Sequence, residues 1–451
     1  MFNKVVVANR GAVAARVLRA LHEMGIKSAA VYSEADYGAP YLEMASETYA
    51  IGAAPAADSY LNQETLLDVL KRAGADGVHP GYGFLSEHAG FAQRVQDAGV
   101  CFIGPSPKWI DAMGHKTRAR EIATEYGMPM TKGSNVLPAE PAAILAAARA
   151  IGYPVLVKPA GGGGGIGMLP VREESELLAT VERSRSMASR GFGNAEVYLE
   201  RLFEKPRHIE FQVLGDQHGE AVHLFERDCS VQRRNQKVIE EAPAPAVERS
   251  QVDAVATQVA AIIKQMGYDN IGTVEMLMGA DGAFNFLEMN TRLQVEHGVT
   301  EEVTGVDLVR AQIRSAAGDR LADILPQKIG ISGHAIQARV YAEDPKNFYP
   351  SPGKLTVFRP PVDKSVRIET GYAEGRDVTP HYDPMIAKVI VHATSRDAAI
   401  ERLVQALEAF DIKGPKTNIP AVLTVLRSDQ FRSGQVHTGI IPEVLAKKKS
   451  A

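Results

Sequence analysis

The chain has 451 residues, with 50 lysines and arginines against 54 aspartates and glutamates and a formal net charge of −4. This near balance gives no reason to expect nucleic acid or a membrane surface as a partner, and no apolar run is long enough to span a membrane. The length predicts two or three domains. Cys101 and Cys229 are too far apart for a disulfide framework or a zinc site, so we expect a cytoplasmic protein.

The amino-terminal residues alternate between short apolar runs and amphipathic segments. Residues 4–8 predict a strand that turns at Gly11 into a helix, and residues 29–32 predict a second strand. This βαβ pattern is typical of a doubly wound parallel sheet. Residues 79–87, with Tyr82 between two glycines, follow a third short strand, where such sheets bind their ligands. A rigid turn is the alternative interpretation.

A different pattern, typical of a small α+β unit, covers residues 130–205. Residues 153–158 predict a strand ending at Lys158, and five consecutive glycines follow at 161–165. Their backbone N–H groups can close over phosphates beside the lysine charge, although no Gly-Lys-Ser/Thr ends the run as in a P-loop. A flexible linker is the alternative. Residues 197–202 predict a short strand whose backbone can bind an adenine edge, with Glu200 as a further acceptor.

A hairpin is predicted from residues 208–214 and 221–226, around a glycine-containing turn. Basic and amide side chains then fill residues 227–237. Such runs are usually solvated, but this one continues into apolar residues and prolines up to 245. The continuation indicates the wall of a cleft.

Two stretches rich in carboxylates come next. Residues 272–278 place Glu275 in an apolar run, and a buried charge needs a metal or a partner. Residues 284–296, read as a strand, send five polar side chains to one face: Glu288, Asn290, Arg292, Gln294 and Glu296. The first two offer oxygen ligands for Mg²⁺, while a guanidinium beside a third carboxylate can hold and deprotonate a small oxyanion. An amphipathic strand with one solvated face is the alternative.

These motifs, in their order and spacing, resemble the biotin carboxylase family of ATP-grasp enzymes from about residue 2 to about residue 445. The resemblance rests on residues 8–11, 79–87, 116, 158–167, 227–245, 288–296 and 339–345. It implies an α/β and α+β architecture built on the ATP-grasp fold. The implied units are an N-terminal doubly wound domain (1–113), an ATP-grasp region (114–330) with a glycine-loop lid at about 130–205, and a C-terminal domain (331–447).

The resemblance also implies the roles of individual residues. Mg²⁺ or Mn²⁺ would bind Glu275 and Glu288, close to Asn290. Bicarbonate would be held by Lys237, Arg292, Gln294 and Val295, with Glu296 as its general base. Tyr82 and Arg339 would face the biotin ring, and Arg339 would stabilise the biotin enolate. The implied ATP-binding residues are Lys116, Lys158, Gly163, Gly164, Gly165, Glu200, Arg201, Leu202, His208, Gln232, Asn235 and Leu277.

The implied reaction carboxylates biotin with ATP and bicarbonate through carboxyphosphate. No Met-Lys-Met or similar biotinylation sequence is present. We therefore expect a subunit that acts on biotin attached to a separate biotin carboxyl carrier protein, with a separate carboxyltransferase subunit. The family is often dimeric, and Arg16 and Arg19 on the first helix are candidates for a homodimer interface.

Four positions depart from the commonest family pattern: Ala12, Ile166, Asn235 and Gly298. The last three are more similar to the biotin carboxylase part of urea carboxylases. Asn235 stands where histidine is usual, and an amide cannot become cationic. Two other hypotheses stay open: an ATP-grasp ligase that joins a different carboxylate to an amine, and a regulatory nucleotide-binding paralogue. The final carboxyl acceptor, an acyl-CoA, urea or a related compound, is left open.

Overall fold

The computed structural model describes residues 1–161 and 166–450, with side chains up to residue 447. The first sheet is parallel, in the order β3-β2-β1-β4-β5. Its strands are β1 (Lys4–Val7), β2 (Lys27–Tyr32), β3 (Glu47–Ala50), β4 (Gly77–His79) and β5 (Cys101–Phe102), and its helices are α1 (Gly11–Glu23), α2 (Gln63–Ala73), α3 (Ala89–Asp97) and α4 (Pro107–Gly114).

Strand β1 shows why this sheet has helices on both faces. Val5 and Val7 pack in one apolar cluster with α1, whereas Val6 packs in a second cluster with α2 and α3. The sequence of a strand buried on both faces is a continuous apolar run, as in residues 5–8. The predicted doubly wound arrangement is confirmed.

A second, smaller sheet carries the glycine-rich region. Its antiparallel order is β7-β6-β8. Its strands are β6 (Val155–Pro159), β7 (Leu169–Val171) and β8 (Val197–Arg201). The helices of this region are α6 (Pro141–Ile151) and α7 (Leu177–Phe192), and α5 (Lys116–Glu125) precedes them. Apolar residues of both helices and all three strands form a core of their own. The predicted strand ending near Lys158 is confirmed.

The third sheet has eight strands in the order β13-β12-β9-β10-β11-β14-β19-β17, and all its neighbours are antiparallel. The pairing of β11 with β14 joins its two halves. From here the strands of the chain are β9 (Arg207–Gly215), β10 (Ala221–Arg233), β11 (Gln236–Ala242), β12 (Ile271–Met278), β13 (Phe284–Asn290), β14 (His334–Tyr341), β15 (Gly353–Lys354), β16 (Val357–Arg359), β17 (Val366–Glu369), β18 (Asp377–Val378), β19 (Met385–Ala393) and β20 (Asp411–Lys413).

Helices cover this sheet and complete the carboxyl-terminal part. They are α8 (Arg249–Met266), α9 (His297–Thr304), α10 (Leu308–Ala316), α11 (Leu321–Ile324), α12 (Arg396–Ala409), α13 (Ile419–Leu426), α14 (Asp429–Arg432) and α15 (Ile440–Ser450). The apolar face of α8 packs on β9, β12 and β13, and α12 packs on β14 and β19. No helix in the described part of the chain is long and apolar enough to cross a membrane.

One expectation is corrected. The predicted strand over residues 284–296 ends at Asn290, and residues 291–296 turn before α9 begins at His297. The Arg16 side chain is 4% exposed within the chain and forms ion pairs with Glu301, Asp307 and Glu369, and its part in an interface stays a prediction. The 40% exposed side chain of Arg19 remains accessible.

Candidate active site

A cavity of about 1000 Å³ lies between the parallel sheet, the small sheet and the eight-stranded sheet. Every predicted site residue within the described part of the chain lines it: Tyr82, Lys116, Lys158, Glu200, Arg201, Leu202, His208, Gln232, Asn235, Lys237, Glu275, Leu277, Glu288, Asn290, Arg292, Gln294, Val295, Glu296 and Arg339. Gly163, Gly164 and Gly165 lie outside the described residues. The fold therefore brings together side chains up to 257 positions apart, from Tyr82 to Arg339.

Lys237 lies at the centre of a carboxylate cluster at the base of the cavity. Its Nζ is 2.5 Å from an oxygen of Glu210, 2.7 Å from Glu275 and 2.7 Å from Glu296. Strand register creates this cluster, since Glu275 of β12 lies directly opposite Glu210 of β9, and β10 links β9 to β11, which carries Lys237. One cation thus neutralises part of three buried negative charges.

Three members of the cluster, Lys237, Glu275 and Glu296, have strongly shifted pKa values. Burial by itself lowers the pKa of Lys237, but the three carboxylates outweigh burial and raise this pKa well above its usual value. Burial raises the pKa of Glu296, but Lys237, Arg339 and Arg227 outweigh it and hold the pKa below the usual range. Burial also raises the pKa of Glu275, but Lys237 and His208 outweigh burial and hold this pKa well below the usual range. All three groups are charged at neutral pH.

The divalent-metal prediction falls on two carboxylates that the sheet places side by side. Glu275 and Glu288 are directly opposite each other on β12 and β13. The Glu288 side chain is 37% exposed, and its only ion pair within the described residues is a long one, 3.9 Å from Lys116. Asn290 Oδ1 accepts from Arg292. Oxygen donors that face a cavity and retain free lone pairs fit Mg²⁺ or Mn²⁺.

The turn after β13 directs Arg292 into the cavity. Its Nε donates to Glu87 at 2.7 Å, Nη1 to Gln294 Oε1 at 2.9 Å, and Nη2 to Asn290 Oδ1 at 2.8 Å. Gln294 in turn donates to Glu275 at 3.2 Å. Every donor edge of the guanidinium is oriented by a neighbour, which is the preorganisation that binding of a small oxyanion requires.

Arg339 of β14 approaches the same centre from the other half of the sheet. Its Nε donates to Glu240 at 2.5 Å and its Nη2 to Glu296 at 3.0 Å. Val295, the residue before Glu296, is also held in place, because buried Lys388 donates to its carbonyl at 2.9 Å. Glu296 therefore has Lys237 on one oxygen and Arg339 on the other.

The loop that carries Tyr82 follows β4, next to β1, where the strand order of the parallel sheet reverses. Hydrogen bonds hold this loop in place. Asn9 donates to the Pro80 and Tyr82 carbonyls at 2.6 and 2.9 Å. Gly81 has φ +63°, and a Cβ there would lie 2.9 Å from Asn9 Nδ2, so the position requires glycine. The Tyr82 hydroxyl is buried, and no hydrogen-bond partner for it exists among the described residues.

The predicted nucleotide residues line the same cavity and reach the carboxylate cluster, since His208 Nε2 is 3.0 Å from Glu275 Oε2. Lys158 Nζ is 2.7 Å from Glu200 Oε2, and His208 Nδ1 is 3.1 Å from Gln232 Nε2. Burial lowers the pKa of Lys116, which lies at the start of α5. Apolar Leu202 and Leu277 line the cavity, as expected of a site for a flat base.

Two of the predicted nucleotide residues, Arg201 and Asn235, have a local structural role as well. Arg201 donates to the Gly152 and Tyr153 carbonyls of the small sheet at 2.8 and 2.6 Å. Asn235 is exposed and lies in the two-residue turn between β10 and β11, where Arg234 and Asn235 have φ values of +48° and +64°. Asparagine is among the few residues that tolerate such a turn, so this local conformation accounts for its presence.

Sequence reasoning missed five partners of the predicted residues: Glu87, Arg120, Glu210, Glu240 and Lys388. Glu210 and Glu240 are completely buried. A carboxylate in an apolar strand was the signal used for Glu275, and the same signal is present in residues 208–214. Lys388 carries the same signal, as a lone charge within the apolar residues 385–391. Glu87, Arg120 and Glu240 carry no such signal, because their importance comes from residues distant in sequence.

Comparison with known proteins defines the class. Residues 115–324 match the model of the carbamoyl-phosphate synthase L chain ATP-binding domain, and residues 1–110 and 337–443 match the N- and C-terminal domains of biotin carboxylase. The chain is 48% identical to biotin carboxylase 2 of Bacillus subtilis over 448 residues, which cover 99% of this chain and 100% of that protein. The chain is 46% identical to biotin carboxylase of Halalkalibacterium halodurans, with 99% of each chain covered.

Solved structures agree with this assignment. The biotin carboxylase domain dimer of Hydrogenobacter thermophilus 2-oxoglutarate carboxylase, in complex with MgADP, ADP and bicarbonate, superposes with a TM-score of 0.94 at 43% identity over 98% of each chain. A complex of Campylobacter jejuni biotin carboxylase with β-γ-ATP also has a TM-score of 0.94, at 39% identity over 98% of this chain and 99% of that one. The fold is the ATP-grasp fold, and the chain belongs to the biotin carboxylase family.

Proposed function

We propose that this protein carboxylates biotin with ATP and bicarbonate, in a reaction that requires Mg²⁺ or Mn²⁺. The observation that carries the proposal is Glu296 held between Lys237 and Arg339, beside the fully oriented guanidinium of Arg292. A base between two cations, next to an anion site, suits deprotonation of a small oxyanion. The family relatives with bound nucleotide and bicarbonate support the same chemistry.

In the proposed first step, Lys237, Arg292, Gln294 and the Val295 backbone hold bicarbonate, and Glu296 accepts its proton. The bicarbonate oxygen then attacks the γ-phosphorus of ATP, and ADP leaves as carboxyphosphate forms. Lys116 and Lys158 neutralise charge on the transferring phosphoryl group. A metal ion held by Glu275 and Glu288, near Asn290, would supply further neutralisation of phosphate charge when bound.

The low pKa of Glu296 in the ligand-free protein is compatible with this role. Lys237 and Arg339 are the principal charges that hold the pKa down. When an anion enters, both cations are shared with it, and their stabilisation of the Glu296 carboxylate weakens. The pKa of Glu296 then rises, so bicarbonate binding itself makes this carboxylate a better base.

In the proposed second step, carboxyphosphate gives CO₂ and phosphate, and phosphate takes the N1′ proton of biotin. Arg339 stabilises the negative charge that develops on the ureido oxygen, and biotin N1′ adds to CO₂. Tyr82 packs against the ring. His208, Gln232, Leu202 and Leu277 hold the nucleotide, together with Glu200, Arg201, Asn235 and the glycine loop.

We also propose the partners and domain limits that the resemblance implies. Biotin would arrive on a separate carrier protein, a carboxyltransferase subunit would use the product, and two copies of this chain would form a homodimer. Relatives described as subunits of pyruvate and methylcrotonoyl-CoA carboxylases, and the dimer of the related 2-oxoglutarate carboxylase domain, support this arrangement. The proposed limits are 1–113, 114–330 and 331–447.

The deciding experiment measures ADP release by the purified chain with Mg²⁺ and ATP, adding bicarbonate and free biotin singly and together. We expect release to require bicarbonate and to rise strongly with biotin. Glu296→Ala should abolish the bicarbonate-dependent release, and Arg339→Ala should remove the rise caused by biotin. ADP release that responds to another carboxylic acid but never to biotin or biotinylated carrier would refute the proposal.

A further inference from the structure

Arg120 links the small sheet to the body of the protein. It lies on α5, whose Ala119 and Ala123 pack in the core formed with β9, β12 and β13. Its Nη1 donates to Glu200 Oε1 on β8 at 2.5 Å, and its Nη2 donates to the Thr131 carbonyl at 2.9 Å. One guanidinium therefore holds a carboxylate of the small sheet and the backbone of the chain that leads to it.

The segment at Thr131 is the passage between the two sheets. Met130 forms a bridge with Phe286 of β13, and Gly133 forms a bridge with Glu200 of β8. A Cβ at Gly133 would lie 2.7 Å from Arg120 Nη2 and 3.0 Å from the Leu199 carbonyl. Glycine is thus required for the guanidinium to approach this closely. Arg120 therefore lies beside residues 130–133, the segment that connects the small sheet to the eight-stranded sheet.

Glu200 is shared between two cations. Arg120 occupies one carboxylate oxygen and Lys158 occupies the other at 2.7 Å, and the three side chains are only 12%, 7% and 3% exposed for Arg120, Glu200 and Lys158. The Tyr198 ring lies beside both cations. For Lys158 to bind a phosphate, its ammonium must give up some of its interaction with Glu200. A buried carboxylate left without a cation is strongly unfavourable.

We propose that Arg120 is a positioning residue that holds the Glu200 carboxylate in place while Lys158 moves from Glu200 to the phosphates of the nucleotide. This inference rests on the proposed function for the assignment of Lys158 to phosphate. Without Arg120, Lys158 would be the only ion-pair partner of Glu200 within the described residues and would leave it less readily. Arg120 thereby promotes nucleotide binding although it is not itself among the residues that line the cavity.

The test measures binding of a non-hydrolysable ATP analogue with Mg²⁺ by calorimetry on the full chain. We expect Arg120→Gln to weaken binding about tenfold or more, the effect of losing a hydrogen bond to a charged group. Arg120→Lys, which keeps the positive charge, should recover part of this loss. Arg118→Gln is the matched control, since Arg118 lies on the same helix but forms an exposed pair with Asp111; its effect should stay within about twofold.

A double-variant cycle separates positioning from general damage. Glu200→Gln removes the charge that needs a counterion, so adding Arg120→Gln to it should weaken binding by less than about twofold. The inference is overturned if Arg120→Gln binds like the parent, if it causes the full loss in the Glu200→Gln background, or if Arg120→Lys is as weak as Arg120→Gln. Should Arg120→Gln fail to fold, Arg120→Lys is compared in the parent and in Glu200→Gln. Its loss of binding should then be smaller in Glu200→Gln than in the parent, and an equal loss in both would overturn the inference.

This binding assay requires no turnover. An absence of biotin-stimulated ADP release in the parent protein would refute the proposed function. The effect of Arg120→Gln on nucleotide binding could still be measured and interpreted. In an active protein, Arg120→Gln should raise the KM for ATP and leave the KM for bicarbonate and for free biotin within about twofold, because only nucleotide binding displaces Lys158. An equal rise in all three would overturn the inference.

Discussion

Removal of the Lys237 ammonium should destabilise the protein far more than loss of an ordinary lysine. Lys237→Met leaves Glu210, Glu275 and Glu296, whose oxygens lie 2.5, 2.7 and 2.7 Å from Nζ, without their shared cation. Breaking a buried pair by removing one partner costs about 3–5 kcal/mol. His208, Arg227 and Arg339 still contact members of the cluster, so we expect the lower half of this range.

Urea unfolding at several pH values is the assay, with Lys264→Met as the matched control. Lys264 pairs with Glu220 at 2.7 Å, but both side chains are at least half exposed, and such pairs contribute at most about 1 kcal/mol. In Lys237→Met the folded-state pKa values of Glu275 and Glu296 rise, because Lys237 lowers both in the parent protein. The folded protein then binds protons more readily, so the deficit relative to the parent should shrink as pH falls from 7 towards 5. A pH-independent deficit, or one equal to that of Lys264→Met, would refute the reasoning.

Two further predictions concern single residues. Burial lowers the pKa of His79 to about 3; the unfolded chain therefore takes up the proton first as pH falls below about 6.5, and stability decreases. His79→Gln, which retains an acceptor for the Gly81 N–H, should show about 2 kcal/mol less loss between pH 7 and pH 5 in urea unfolding; an unchanged pH dependence would contradict this. Asn235→His should make the KM for ATP fall as pH is lowered through about 6.5, because the imidazole becomes cationic beside the nucleotide site. A KM that is the same at pH 6 and pH 8 would show that position 235 does not reach the nucleotide.

Several elements of the fold were predictable because their patterns are local. Residues 5–8, three valines and an alanine, form a continuous apolar run, which indicated a buried strand, and the three valines are buried in β1. The glycine-containing turn between residues 208–214 and 221–226 predicted the β9–β10 hairpin, which is confirmed. The apolar run around Glu275 and the period-two alternation around Glu288 indicated that both belong to strands, as they do. Patterns of this kind depend only on neighbouring residues, so they are visible in the sequence before any tertiary contact is known.

The turn at residues 291–296 could not be predicted in the same way. Alternation suggested that Arg292, Gln294 and Glu296 share a strand face, and the chain brings them to one site by a turn instead. Polar alternation does not distinguish these two conformations. What selects the turn is its tertiary partners, because Glu87 accepts from the Thr291 N–H and Lys388 donates to the Val295 carbonyl.

The sequence alone determined which residue types were available for chemistry, and motif resemblance indicated their family roles. Only the tertiary structure decided how those groups are paired and charged. Lys237 meets Glu210, 27 positions away, because strand register aligns them, and Arg16 is buried because Glu301 and Glu369 reach it from distant segments. Interactions of this kind depend on contacts made after the chain has folded, so no local pattern encodes them.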